Sequence, residues 1–418
     1  MALIRFKLEI QPEKQVGVSS MNILSKSQVQ PERIEFVDAL RGFALFGLLM
    51  VHAAEAFGVG LSRGTDDPWG QAVFFLFGSK AFAIFALLFG FSFATIMANQ
   101  RARGVDFTKR FAWRLFLLLT IGFLHSLLYS PEILRLLAFL GVLLIPLDRV
   151  RSNYALLAIA GLFFLQMPLL IQWLLAHWGN AFAASEPYYS SSGLWDVFRN
   201  GSLGALISAN LVEGNLVKWS INWSFGRVSE IAGLFAVGVV IQRTGFFASL
   251  AKDRVIALAL VVIGGTIFAI LEFIVKPLVP GSPSGVEFAI GPFTERAILF
   301  QWIGISGIAA LIGFLALLWN SPVQWLVGLF RGPGRMTLTL YVAHSVIAVP
   351  ILYQFGLGMA EVWDTQQRIL LAIAFFGLQI LFAHWWYARY RYGPLEWTWR
   401  AATLNDWKVP LRKHSQSA

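Results

Sequence analysis

The chain has 418 residues, 57% of them hydrophobic and only 13% charged, with a mean hydropathy of +0.65 and a formal net charge of +10. Long apolar runs recur throughout, too long for barrel strands, so the composition describes an all-α, polytopic helical membrane protein. No cysteine is present, which removes disulfides, thiolate catalysis and cysteine metal sites, and the basic balance belongs to membrane-flanking loops rather than to a nucleic-acid partner.

Residues 1–32 are polar and mixed in charge. The opening Met1-Ala2-Leu3-Ile4-Arg5-Phe6-Lys7 lacks the apolar h-region of a signal peptide, and the segment reads as a disordered cytoplasmic tail. The first apolar run of membrane length lies between Asp38 and His52. Arg41 and His52 return to within roughly 20° of the same helix face, and at about 1.5 Å of rise per residue they stand roughly 16 Å apart. A spanning helix therefore puts a cation near one membrane surface and an imidazole near the other. A plainer reading has Asp38 and Arg41 capping and anchoring the helix at the headgroups, with His52 snorkelling outward.

About ten spanning helices are expected, over 36–56, 71–98, 111–129, 131–148, 153–177, 224–242, 254–277, 295–319, 335–355 and 367–389. The one long hydrophilic-leaning connection, 178–222, reads as an interfacial or partly folded external loop. It divides an N-terminal helical half (33–177) from a C-terminal one (223–392), and 393–418 forms a second cytoplasmic tail. Arg101, Arg103, Lys109, Arg110, Arg149, Arg151, Arg243, Lys252, Arg254, Arg331 and Arg335 all fall on one side of this topology. The opposite loops carry little beyond Arg63, Arg199 and Lys218, so both termini are expected in the cytoplasm. Gly332-Pro333-Gly334 and Gly393-Pro394 read as turns at that surface. No nucleotide-binding, zincin or Gly-x-Ser-x-Gly pattern and no clear internal repeat is found.

Ionisable residues inside spans are costly and mark functional candidates. In this topology His52, Glu55, Lys80, His125 and Glu132 gather at similar depth on the external side. Arg227 and Glu230 join them at the start of the sixth span, and His344 lies deeper in the ninth. Together they read as the lining of a polar cavity, while each alone also reads as a buried ion pair or a snorkelling side chain. His52, Glu55, His125 and Glu132 have no short His-x-x-x-His spacing among them, and no metal is expected.

Five stretches in order carry a resemblance. They are Val37-Asp38-Ala39-Leu40-Arg41-Gly42-Phe43, Lys80-Ala81-Phe82-Ala83-Ile84-Phe85, Gly122-Phe123-Leu124-His125 with Glu132-Ile133-Leu134, Gly334-Arg335-Met336-Thr337-Leu338-Thr339-Leu340-Tyr341, and Gly393-Pro394-Leu395-Glu396-Trp397-Thr398-Trp399-Arg400. From about Arg33 to Trp407 the chain resembles the YeiB family of bacterial inner-membrane proteins, whose C-terminal half is a domain of unknown function of the 418 type. Members of that family usually carry Asn at the place of His52, Asp at Glu132 and Gln at His344. The family is similar in turn to transmembrane acyltransferases, in which a first-helix Leu-Asp-x-Leu-Arg precedes a His by eleven residues, the spacing of Asp38, Arg41 and His52.

That resemblance implies an acyl-CoA donor entering from the cytoplasm at Asp38 and Arg41. It also implies a glycan or lipid acceptor on the outer side, with His52, His125, Glu132 and Lys80 as catalytic candidates and Glu55, Arg227, Glu230 and His344 lining the cavity. Imidazole suits that task, since its ordinary pKa near 6.5 lets it accept a hydroxyl proton at neutral pH. A transporter or flippase of a small or lipidic substrate, and a membrane protein without chemistry, remain the alternatives.

Overall fold

Capping side chains set where the helices begin, and left-handed residues set where several of them stop. The computed structural model describes residues 33–59, 67–190, 193–279 and 290–413. The tail expected over 1–32, Arg63 and the last five residues lie outside them. The first helix, α1 (Glu35–Ala54), is followed by α2 (Pro68–Phe77), which Asp67 caps by accepting from the amides of Trp69 and Gly70 with Pro68 at the first position. Next come α3 (Lys80–Arg101), α4 (Thr108–Leu128), α5 (Leu134–Leu140) and α6 (Leu144–Arg149). Ser152 caps α7 (Asn153–Phe164), which runs into α8 (Met167–His177).

Three further helices, α9 (Leu194–Asn200), α10 (Leu203–Leu211) and α11 (Glu213–Ser224), fill most of the expected external loop. Then α12 (Arg227–Thr244) ends at left-handed Gly245, and α13 (Phe246–Leu250) leads to α14 (Arg254–Ala269), which continues as a π turn through Val275. The long α15 (Ile290–Trp319) is followed by the short α16 (Gln324–Gly328) and α17 (Arg331–Arg335) and by α18 (Thr337–Leu352). An Asp364–Gln367 capping box opens α19 (Thr365–Arg389), and α20 (Pro394–Leu404) closes the fold.

Among the described residues, seven helices are long and apolar enough to cross a membrane, or nine if each of two bent pairs is one span. The protein is therefore a multi-pass helical membrane protein, with fewer such helices than the ten expected from the sequence. Against seven, the difference arises in three places, one of them the expected sixth span, α12, which counts only together with α11 across a 68° bend. The stretch expected to span 131–148 is broken into α5, a 3-10 turn and α6. The expected ninth span begins at α18, bent by 82° from α16 and α17, so that Gly332-Pro333-Gly334 lies within a short helix rather than an open turn.

Burial orders the bundle. Within the spans, 78% of α1 is buried but only 6% of α14, so α1 is the central helix and α14 a lipid-facing one. Helices in lipid gain little from apolar burial and pack closely where small residues let backbones approach. A Cβ on Gly334 would lie 1.7 Å from the carbonyl oxygen of Asp38, and one on Gly42 2.0 Å from that of Phe330, so these two glycines seat α17 against α1. Gly90 and Gly238 do the same for α3 and α12.

The two C-terminal motifs meet. The half-buried Glu396 of α20 accepts with its carboxylate from the Leu338 amide (2.7 Å), the Thr339 amide (3.1 Å) and the Thr339 hydroxyl (2.6 Å), capping the start of α18 from outside. Burial pushes this carboxyl above its ordinary range, and the Thr339 contacts pull it back. Glu396→Ala leaves these donors unmet and should cost about 2–3 kcal/mol. Its thermal unfolding in detergent should come at lower temperature than that of Glu396→Gln, which keeps one oxygen. An unchanged midpoint for the alanine variant would refute the capping role.

Candidate functional site

The C-terminal end of α1 forms a wall of the site because two other segments pin it. Arg368 of α19 donates Nε to the Ala53 carbonyl (3.1 Å) and Nη1 to the Trp363 carbonyl (2.6 Å). Tyr353 donates its hydroxyl to the carbonyl of Phe57 (2.8 Å), which sits at φ 52° just past the helix. These bonds satisfy carbonyls that a helix end otherwise leaves bare, and they fix His52 one turn before the chain reverses.

His52 and Glu55 line a partly open cavity of about 150 Å³. Ser79 and Phe82 flank the start of α3, Glu132 comes from the link between α4 and α5, and Lys218 and Asn222 come from α11. Arg227, the first residue of α12, and Trp195 and Phe198 of α9 complete the wall. The His52 ring is buried, with Nδ1 2.8 Å from the Tyr129 hydroxyl and 3.9 Å from a Glu55 carboxylate oxygen. Its other nitrogen, Nε2, has no hydrogen-bond partner among the described residues.

Glu132 is the electrostatic centre of the cavity wall. Its carboxylate is fully buried, accepts from the Leu134 amide (2.5 Å) and so caps α5, pairs with Arg135 Nε (2.6 Å), and pairs with Lys218 Nζ. Lys218 also donates to the Glu132 carbonyl, Arg135 donates to Asn215, and the Ile133 amide donates to the Tyr341 hydroxyl (3.0 Å). One carboxylate thus holds two buried cations, and the cavity itself is lined by two cations, Lys218 and Arg227, against two carboxylates, Glu55 and Glu132. Such a lining suits an acceptor hydroxyl and an oxyanion that develops beside it.

Of the residues singled out in the sequence, His52, Glu55, Glu132 and Arg227 converge on this cavity. Four do not line it. Lys80 folds back along its own helix start, with Nζ on the Phe75 carbonyl (2.6 Å) and 5.1 Å from the Phe268 ring centre. His125 bonds the Ser345 hydroxyl and packs edge-on against Tyr341. His344 bonds Gln379 Oε1 (3.0 Å), and Glu230 is buried one turn deeper on α12. At the far end of α1, Arg41 bonds Asp38 (2.8 Å) and the Ser92 hydroxyl (2.7 Å), and about a quarter of its side chain is exposed. The sequence reading missed Tyr129, Arg135, Lys218 and Asn222 as site residues. Lys218 stands in a segment without a membrane-length apolar run, and nothing local distinguishes it from a solvated loop charge.

Residues 241–406 match a family model described as a protein of unknown function (DUF418). That region runs from the end of α12 to α20 and holds Arg368 and Glu396 but none of the cavity residues named above. Over nearly its whole length the chain is similar to the uncharacterized protein YxaH of Bacillus subtilis (strain 168), 26% identical over 421 residues that span 93% of this chain and 99% of the relative. It is also similar to the uncharacterized protein YeiB of Escherichia coli (strain K12), 25% identical over 407 residues that span 92% and 100%. A third relative is an uncharacterized 39.9 kDa protein from the amylase 3′ region of Bacillus acidopullulyticus, 22% identical over 398 residues.

Proposed function

The chain belongs to the YeiB/DUF418 family, and from the cavity at the end of α1 we propose that it is a transmembrane acyltransferase using an acyl-CoA donor. The observation that carries this reading is His52, buried in the cavity wall with Nδ1 held by Tyr129 and Nε2 without a hydrogen-bond partner among the described residues. In the tautomer that donates from Nδ1 to the Tyr129 oxygen, Nε2 keeps its lone pair and acts as general base.

His52 takes the proton of the acceptor hydroxyl as its oxygen attacks the thioester carbonyl. Lys218 and Arg227 stabilise the oxyanion. Collapse of the tetrahedral intermediate expels the CoA thiolate, which recovers the proton from His52. The product is an ester on a glycan or lipid. Arg41 meets the donor phosphates at the other end of α1, where a guanidinium can bind them in bidentate fashion. The two ends are roughly 16 Å apart, so the flexible thioester arm and not the phosphates reaches His52. The lysine and arginine distribution supports a cytoplasmic Asp38 end in a bacterial inner membrane.

Radiolabelled acetyl-CoA supplied to the cytoplasmic face of membrane vesicles tests the reading. Label should appear covalently in surface glycan or lipid, dependent on the protein. The interrupted helices at Ser79, Gln166 and Gly226 favour a second reading, a transporter or flippase using the same cavity. Accumulation of a substrate without covalent change would select that reading and overturn the first.

A further inference from the structure

Three of the apolar helices are interrupted in mid-course, and the interruptions meet. The chain passes from α2 to α3 at Ser79 (φ 57°), from α7 to α8 at Gln166 (φ 57°) and from α11 to α12 at Gly226 (φ 68°). Ser and Gln rarely adopt this left-handed backbone, and strain kept at two such places points to use. A Cβ on Gly226 would lie 2.5 Å from Gln166 Oε1. One on Gly304 of α15 would lie 2.8 Å from Ser79 Oγ and 3.8 Å from Glu230 Oε1. Gln301, one turn before Gly304, donates its Nε2 to the carbonyl of Phe225 at the third break.

At this junction the unmet oxygen acceptors outnumber the unmet donors, Gln166 Nε2 and Arg227 Nε. Glu230, Gln166 and Gln301 are each 0% exposed. Both carboxylate oxygens of Glu230, both amide atoms of Gln166 and Oε1 of Gln301 lack a hydrogen-bond partner among the described residues. Arg227, three residues before Glu230, lines the His52 cavity with its guanidinium over the Phe82 ring. A buried carboxylate is not left unpaired in a low-dielectric interior; it takes a proton or a cation.

Carboxylate and carboxamide oxygens are ligands for hard cations, and broken helices are where membrane proteins hold monovalent ones. A single carboxylate favours a single charge. Among the described residues no group of three His, Asp or Glu side chains is placed to hold a metal ion. We infer that the junction of the three breaks binds a sodium ion, with Glu230 as the charged ligand and Gln166, Gln301 and Ser79 supplying neutral oxygens around it. The site adjoins the His52 cavity through Ser79 and Arg227 and stands whether or not acyl transfer does.

The test uses the full chain purified in detergent in sodium-free buffer, with choline chloride holding ionic strength constant. Sodium chloride should raise the unfolding midpoint by about 2–4 °C in a saturable manner, as expected when a ligand binds only the folded state. Potassium chloride should not, and Glu230→Gln should abolish the response. Because that variant can fail to fold, direct binding of radioactive sodium to the wild-type protein is the second measurement, with Gln301→Leu expected to weaken it about tenfold. Equal stabilisation by potassium, stabilisation by acid alone with no sodium effect, or absence of bound sodium would overturn the inference, the acid result assigning a proton to Glu230 instead.

Discussion

His52→Asn should lower label transfer from acetyl-CoA by about 10²–10⁴-fold while the protein stays folded and keeps its elution volume in detergent. Asn fits the buried place and can still bond Tyr129, but it has no lone pair basic enough to take a hydroxyl proton. Tyr129→Phe should cost less, about tenfold, because it removes only the group that holds Nδ1. The comparison has a built-in opponent, since the resembling family usually carries Asn at this position. Wild-type transfer in His52→Asn would remove His52 as the base. His125, the other candidate, would then have to give up its bond to Ser345 and reach a cavity it does not line. The acyltransfer reading would lose its chemistry with it.

That several polar residues share one end of the bundle was readable from the sequence, and the direction of their side chains was not. Hydropathy placed His52, Glu55, Glu132 and Arg227 at one level, and all four line the cavity. The same argument brought in Lys80 and His125, whose side chains leave along other faces: Lys80 back over its helix start, His125 toward α18. Periodicity within one helix cannot say which neighbour a face meets. Lys218 was hidden for the opposite reason. Its helix, α11, has the mixed composition of a loop and becomes legible only as half of a pair bent by 68° against α12. The expected span over 131–148 hid its interruption in the same way, because an apolar run of membrane length does not reveal that a turn will break it, as between α5 and α6. Motif order was informative without being explanatory. Glu396 and Thr339 stand in two separate motifs, and the reason, one capping the other's helix, needed the fold.

Glu132→Gln should be among the most damaging single changes in the protein. The side chain keeps its size, but two cations, Arg135 and Lys218, are left buried with no counter-charge at their shared centre. Removing one partner from a buried ionic group costs about 3–5 kcal/mol, a large share of the roughly 5–15 kcal/mol that holds a folded protein together. The variant should accumulate poorly in the membrane and unfold at a clearly lower temperature in detergent. Lys218→Met added to it removes one of the two stranded cations and should recover much of that loss, so the double variant should be more stable than Glu132→Gln alone. Glu132→Asp, the residue usual in the resembling family, keeps the charge and should be mild. Stability and chemistry then separate in one series. The double variant lacks the Lys218 ammonium that faces the cavity, so it should be folded and inactive. A Glu132→Gln protein as stable as the wild type would mean that the Glu132, Arg135 and Lys218 charges are not the electrostatic centre of this end of the bundle.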